Sequence, residues 1–245
     1  MKFNILSDRI EVKENDYIMD TDIGVTQNSN KDRSFAEGFN FFKLFWIFFI
    51  GCFTGVVIET IWCMVKNGVF ESRTALVITP LNPVYGFGAL LISICFVRFG
   101  SNKNSTIFLG CMVAGGIFEY MCSLFQEMVF GTVSWSYAAD SLGIFGRTSL
   151  IYCFFWGILG VMWVRGIYPY LSNVIQKIPN DIGRFLTYCL LLIIVIDIIF
   201  TSLALFRQLE RREGIPAANV LEEFYDKNLD DAALKKIYPH MTPVR

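Results

Sequence analysis

Histidine occurs once in this chain, as His240, and no two of its seven cysteines have the CxxC spacing. That leaves no material for a histidine-based triad or a zinc site with His ligands, and no metal site is expected. No GxxxxGK[ST] phosphate loop is present, so the chain cannot supply its own ATPase by that route, and no cofactor is expected. Charge is also scarce: 18% of residues are charged and the net charge is −1, which argues against nucleic acid as a partner. A cleavable signal peptide is not visible, because the first thirty-odd residues are polar and the first apolar run is long enough to span.

What is abundant is apolar. Hydrophobic residues make up 54% of the chain, aromatics 16%, and Phe alone accounts for 24 positions; mean hydropathy is +0.47. This composition belongs to an integral membrane protein. The pattern predicts an all-α bundle of about five spans, Phe39 to Val65, Leu76 to Val97, Thr106 to Phe130, Thr148 to Val164 and Phe185 to Phe206, each near the length that crosses a hydrocarbon core. Residues 1–38 read as a polar, disordered tail, 39–206 as the transmembrane bundle, and 207–245 as a tail with two short amphipathic helices, the second ended by Pro239. The expected location is the cell membrane, as a multi-pass protein. All seven cysteines fall in or beside the apolar runs and read as packing residues. Arg98, Lys103, Arg165, Lys177 and Arg184 lie on the N-terminal face and tilt the orientation toward a cytoplasmic N-terminus, while Arg207, Arg211 and Arg212 pull the other way.

The second span is interrupted. In TPLNPVYGFG, Pro80, Pro83, Gly86 and Gly88 precede a helix-compatible stretch of about fourteen residues, roughly 21 Å long, too short to cross alone. The segment before it must enter the membrane as irregular backbone, which survives there only when buried in protein or lining a wet cavity. The short helix begins near Val84; its N-terminal end either faces a polar cavity or simply packs.

Charges also sit where they are costly. Glu59, Glu119, Glu127 and Asp197 all fall inside apolar runs, and a carboxylate at mid-bilayer costs about 2.5–3.5 kcal/mol on insertion scales. Arg73 and Arg147 are candidate partners on the face opposite the N-terminus, which also holds Asn82, Tyr85, Trp135 and Tyr137. These residues read either as Glu–Arg clamps with an interfacial aromatic belt, or as a polar pocket for substrate. Compared with itself, the chain shows Gly55-xxx-Glu59 again as Gly115-xxx-Glu119. Each is followed by an arginine and then by an aromatic–Gly pair, Tyr85-Gly86 and Trp156-Gly157. Two hairpins of common design, related by an axis along the membrane normal, would produce this pattern. Gly51 and Gly55 would let the first span pack closely on a neighbour, and a homodimer is one expectation.

GVVIETIW, ESR, TPLNPVYGFG, IFEYMCSLFQEMVFG, WSY, GRTSLIYCFFWG and the Asp197 segment, in that order from Phe41 to Phe206, resemble the CmpB-like, type IV group of bacterial ABC-transporter permeases. The resemblance implies that Glu59, Arg73, Pro80, Pro83, Tyr85, Gly86, Glu119, Glu127, Trp135, Tyr137, Gly146 and Arg147 are characteristic positions. This chain departs from the pattern at Thr74 in place of Gly, at Ser136 in place of Asp, and at a replaced Asn before Gly146-Arg147. The expected function is a permease-like membrane subunit with a separate ATPase subunit. An intramembrane enzyme acting on a lipid or lipid-linked substrate, or an assembly protein, are the alternatives.

Overall fold

The computed structural model describes residues 33–98 and 103–244. Its helices are α1 (Phe41–Asn67), α2 (Pro83–Ile92), α3 (Asn104–Phe130), α4 (Leu150–Met162), α5 (Tyr168–Gln176), α6 (Asn180–Arg212), α7 (Val220–Asn228) and α8 (Asp231–Ile237). A π-helical turn at Ser93–Arg98 extends α2, and another at Trp163–Ile167 joins α4 to α5. Four of the resulting rods are long and apolar enough to cross a membrane, and the Pro83–Val97 rod is the shorter fifth. The protein is therefore an all-α membrane bundle. Its wide apolar exposure, such as Ile58 at 67% and Phe185 at 68%, is the surface that lipid covers.

The fourth span is longer than the sequence predicts. The span expected to end at Val164 continues past Arg165 to Gln176, and the π-turn widens the helix just where the Pro169 ring would strike the carbonyl four residues back. Of the tail expected over 1–38, residues 1–32 lie outside the described residues. Phe35 and Ala36 are buried, and Phe35 packs its ring on Gly183 of α6.

Small residues set the register of each hairpin. In the first, a Cβ on Gly55 would stand 2.2 Å from Tyr85 Cγ, and one on Gly51 would stand 3.0 Å from Ala89 Cβ. Pro83 is thereby level with Val57, ten residues or about 15 Å before the end of α1. In the second hairpin, a Cβ on Gly115 would strike the Trp156 ring and one on Gly160 would strike Cys111 Sγ, which brings Leu150 level with Met121. That is nine residues, or about 14 Å, before the end of α3. The contacts repeat with one offset along the first helix of each hairpin and another along the second: Gly55–Tyr85 matches Gly115–Trp156, Phe48–Gly86 matches Phe108–Gly157, and Gly51–Ala89 matches Cys111–Gly160. The two π-turns also fall within two residues of matching positions, and Trp163 Nε1 donates to Ser93 Oγ across them at 2.8 Å.

The connections 68–82 and 131–149 thus both dip below the ends of their helices. The first is irregular, and from Ala75 to Asn82 each of its backbone donors finds an acceptor. Ala75 and Leu76 N–H reach Leu81 O, Leu81 N–H reaches Thr79 O, and Asn82 N–H reaches Cys52 O. Val77 N–H reaches Thr201 Oγ1 at 3.0 Å; Ile78 N–H and Thr79 N–H reach the two Asp197 oxygens at 3.1 and 2.7 Å. Asn82 then caps α2 by accepting from Val84 N–H. Pro80 and Pro83 have no N–H to satisfy. The second connection carries strands β1 (Thr132–Val133), β2 (Gly143–Ile144) and β3 (Thr148–Ser149), with β2 and β3 antiparallel around a turn at Phe145 (φ 51) and Gly146 (φ 69).

The C-terminal segment folds back beneath the same face. Arg207, 3% exposed, donates to both Asp226 carboxylate oxygens at 2.9 and 2.8 Å, and Arg211 reaches Asp226 and Asp231. Tyr238 donates to Ala75 O at 3.1 Å, and β4 (Thr242–Pro243) pairs antiparallel with β1.

Candidate functional site

The polar residues inside the apolar runs form three groups on the face opposite the N-terminus. In the first hairpin, Arg73 from the irregular connection lies 3.6 Å from Glu59 and 3.4 Å from Glu71, and donates to Cys63 Sγ at 2.8 Å. Its Nε is buried without a partner. Asn82 Nδ2 donates to Arg73 O at 3.1 Å, so one side chain caps α2 and fixes the arginine's backbone. His240 Nε2 and Glu71 Oε2 are 2.6 Å apart, which ties the C-terminal segment to the same cluster.

In the second hairpin, Arg147 is bound to Glu127, donates to Ser123 Oγ at 3.3 Å, and lies 5.8 Å from the centre of the Tyr120 ring. Trp135 Nε1 donates to Arg147 O at 3.0 Å, and Tyr137 N–H donates to Gly146 O at 2.8 Å. The left-handed backbone at Gly146 is what folds this turn back onto the 135–137 segment; the φ of 69° suits glycine.

Glu119 is held differently. Tyr137 and Thr148 each donate a hydroxyl to it at 2.7 Å, one to each oxygen, and no arginine or lysine bonds to it among the described residues. Tyr137 stacks against Tyr152 with ring centres 4.7 Å apart and lies within electrostatic reach of Glu59 as well. The hairpins meet where Gly88 of α2 abuts Trp156 and Phe118.

Asp197 stands apart from these groups. Fully buried, it accepts from Ile78 N–H, Thr79 N–H, Thr79 Oγ1 at 2.6 Å and Thr201 Oγ1 at 3.1 Å. The acceptor for the broken backbone is thus the chain's own carboxylate. Pro80 and Pro83 shape that break, while Gly86 and Gly88 provide close contact with Phe48 and Trp156, and Tyr85 fills the notch at Gly55. Thr148, Ser123, Tyr120, Thr79, Thr201, Cys63 and His240 join these networks without a sequence signal of their own. Only Thr148, next to the Gly146-Arg147 pair, sits where proximity could have flagged it.

Two cavities lie away from the Glu–Arg groups. One, of about 220 Å³, is lined by Gln208, Arg212, Asp231 and Tyr238 among others. The other, of about 730 Å³, opens on the N-terminal face where α1 and α6 begin. Among the described residues, no cluster of three or more His, Cys, Asp or Glu side chains could hold a metal ion.

The model of the family described as "Putative ABC-transporter type IV" matches residues 46–202. The chain belongs to that family. The matched region runs from α1 to Ser202 in α6 and takes in both hairpins, both irregular connections and Asp197, but not the C-terminal fold-back. No curated protein and no solved structure matches the chain. With its spans, membership in the ABC-transporter type IV family makes this a transport-related, membrane-embedded protein.

Proposed function

We propose that the chain is the permease-like membrane subunit of a transport system in the cell membrane, working with a separate ATPase subunit. Its polar path runs along Glu59, Glu119 and Tyr137, between the two hairpins. The observation that carries this reading is the unequal treatment of equivalent carboxylates. Arg73 lies beside Glu59 and Arg147 binds Glu127, whereas Glu119 is held by two neutral hydroxyls. A carboxylate with hydroxyl partners can exchange a proton or a cation without breaking an ion pair, and intramembrane carboxylates of this kind mark ion and proton pathways. Packing alone would be served as well by a neutral amide.

Purification in mild detergent from the native membrane is expected to recover an ATPase in fixed ratio, and reconstituted vesicles are expected to show nucleotide-driven flux. In that assay Glu119→Gln should abolish flux while leaving the complex assembled. Full flux in the variant would remove Glu119 from the path. A purified chain with no ATPase in any detergent condition would sink the two-subunit reading.

A further inference from the structure

The N-terminal face carries a groove that the transport reading does not use. It lies where α1 and α6 begin, has a volume of about 730 Å³, and is lined by Arg33, Glu37, Asn40, Phe41, Phe42 and Arg184 among others. Arg184 stands 6.0 Å from the centre of the Phe42 ring. Neither the Arg33 nor the Arg184 guanidinium has a carboxylate partner among the described residues. Two guanidinium groups against the single acid Glu37 leave the groove net positive. Asn40 caps α1 by accepting from Lys43 N–H, and Phe41 and Phe42, the first residues at the positive end of that helix, also line the groove.

Position along the membrane normal decides what such a groove meets. Trp46 donates to Thr187 Oγ1 at 3.0 Å, which sets α1 and α6 side by side with Arg184 level with Lys43. Both residues are in the first turns of helices whose apolar stretch follows, so the groove sits at the boundary between headgroups and hydrocarbon. Directly inward, Phe185 (68% exposed) and Tyr188 (59%) offer an apolar track on α6, while Phe41 (52%) flanks the groove at the first residue of α1.

We propose that this groove binds the phosphate of an anionic phospholipid, with Arg33 and Arg184 holding the phosphate, the α1 N-terminus adding its dipole, and an acyl chain lying along Phe185 and Tyr188. Guanidinium groups recognise phosphate by paired N–H donors, and basic grooves between helices at the headgroup level are the places where anionic lipids dock.

The test is native mass spectrometry of the full chain in detergent, titrated with phosphatidylglycerol or phosphatidylcholine, with Arg33→Ala/Arg184→Ala as the variant. Arg212→Ala/Lys235→Ala, two cations in the other cavity, is the charge-matched control. Retention of phosphatidylglycerol at least fivefold above phosphatidylcholine, lost in the double variant and kept in the control, is the expected result. Equal retention of the two lipids would overturn the proposal, as would unchanged retention in the double variant or an equal loss in the control. Inorganic phosphate at millimolar concentration distinguishes the source of the phosphate: complete displacement of the lipid by it would mean that the groove takes free phosphate and not a lipid headgroup. Arg33 and Arg184 are both exposed, so the variant is expected to fold, and an unchanged melting curve checks this.

Discussion

Replacing Asp197 by alanine would remove the acceptor on which the irregular segment before α2 depends. Four donors converge on this carboxylate: the N–H groups of Ile78 and Thr79 and the hydroxyls of Thr79 and Thr201. Interhelical hydrogen bonds in membranes average about 0.6 kcal/mol, so four of them give a lower figure of about 2.4 kcal/mol. The two N–H groups have no water to turn to where Asp197 is fully buried, and each orphaned donor costs about 1–3 kcal/mol, which sets an upper figure near 6 kcal/mol. Asp197→Ala is therefore expected to destabilise the protein by about 2–6 kcal/mol. Asp197→Asn should cost less, because the amide keeps one acceptor oxygen. Equilibrium unfolding in mixed micelles measures the difference, and hydrogen exchange at residues 77–79 locates it. An alanine variant within 1 kcal/mol of the parent, with protection at Ile78 and Thr79 unchanged, would refute the account of how the break is stabilised.

Other outcomes follow from the same contacts. Gly55→Ala and Gly115→Ala place a methyl group about 2.2 Å from the root of a Tyr85 or Trp156 ring, so each should cost about 1–3 kcal/mol by overpacking, read by the same unfolding assay; Tyr85→Ala should relieve the first and not the second. In the C-terminal segment, Arg207 and Arg211 hold the Asp226 carboxyl down to about 2, against about 3.9 for an unpaired aspartate. Because the folded value is the lower one, the stabilisation is fully present above about pH 4 and is lost as pH falls through 2. Limited proteolysis between α6 and α8 should therefore begin only in that window, and in Arg207→Ala it should occur at neutral pH.

The spans were legible in the sequence because apolar runs of crossing length need no knowledge of their neighbours, and the break was legible because prolines and glycines act locally. The spacing of Gly55-Glu59 and Gly115-Glu119 also carries real information, since the same glycines receive Tyr85 and Trp156. What could not be read was any contact whose partner is distant and generic. Asp197 was a candidate for the pocket, and a sequence does not say that two of its donors are backbone N–H groups some 118 residues away. Glu119 offered the same difficulty, for Tyr137 and Thr148 reach it from a connection that returns below the end of its helix. The extension of the fourth span to Gln176 lies beyond Val164, where the apolar run meets Arg165, and it includes a proline that a π-turn accommodates.

The pairing of β4 with β1 and the bond from Tyr238 to Ala75 join the connections of both hairpins through one segment that lies downstream of every crossing. During synthesis, each hairpin must then leave its polar connection uncovered until residues beyond α6 have emerged. Membrane insertion and closure of this face are in that sense separate events in time. A stalled chain cut between α6 and α7 would hold all the crossings in place with the face still open.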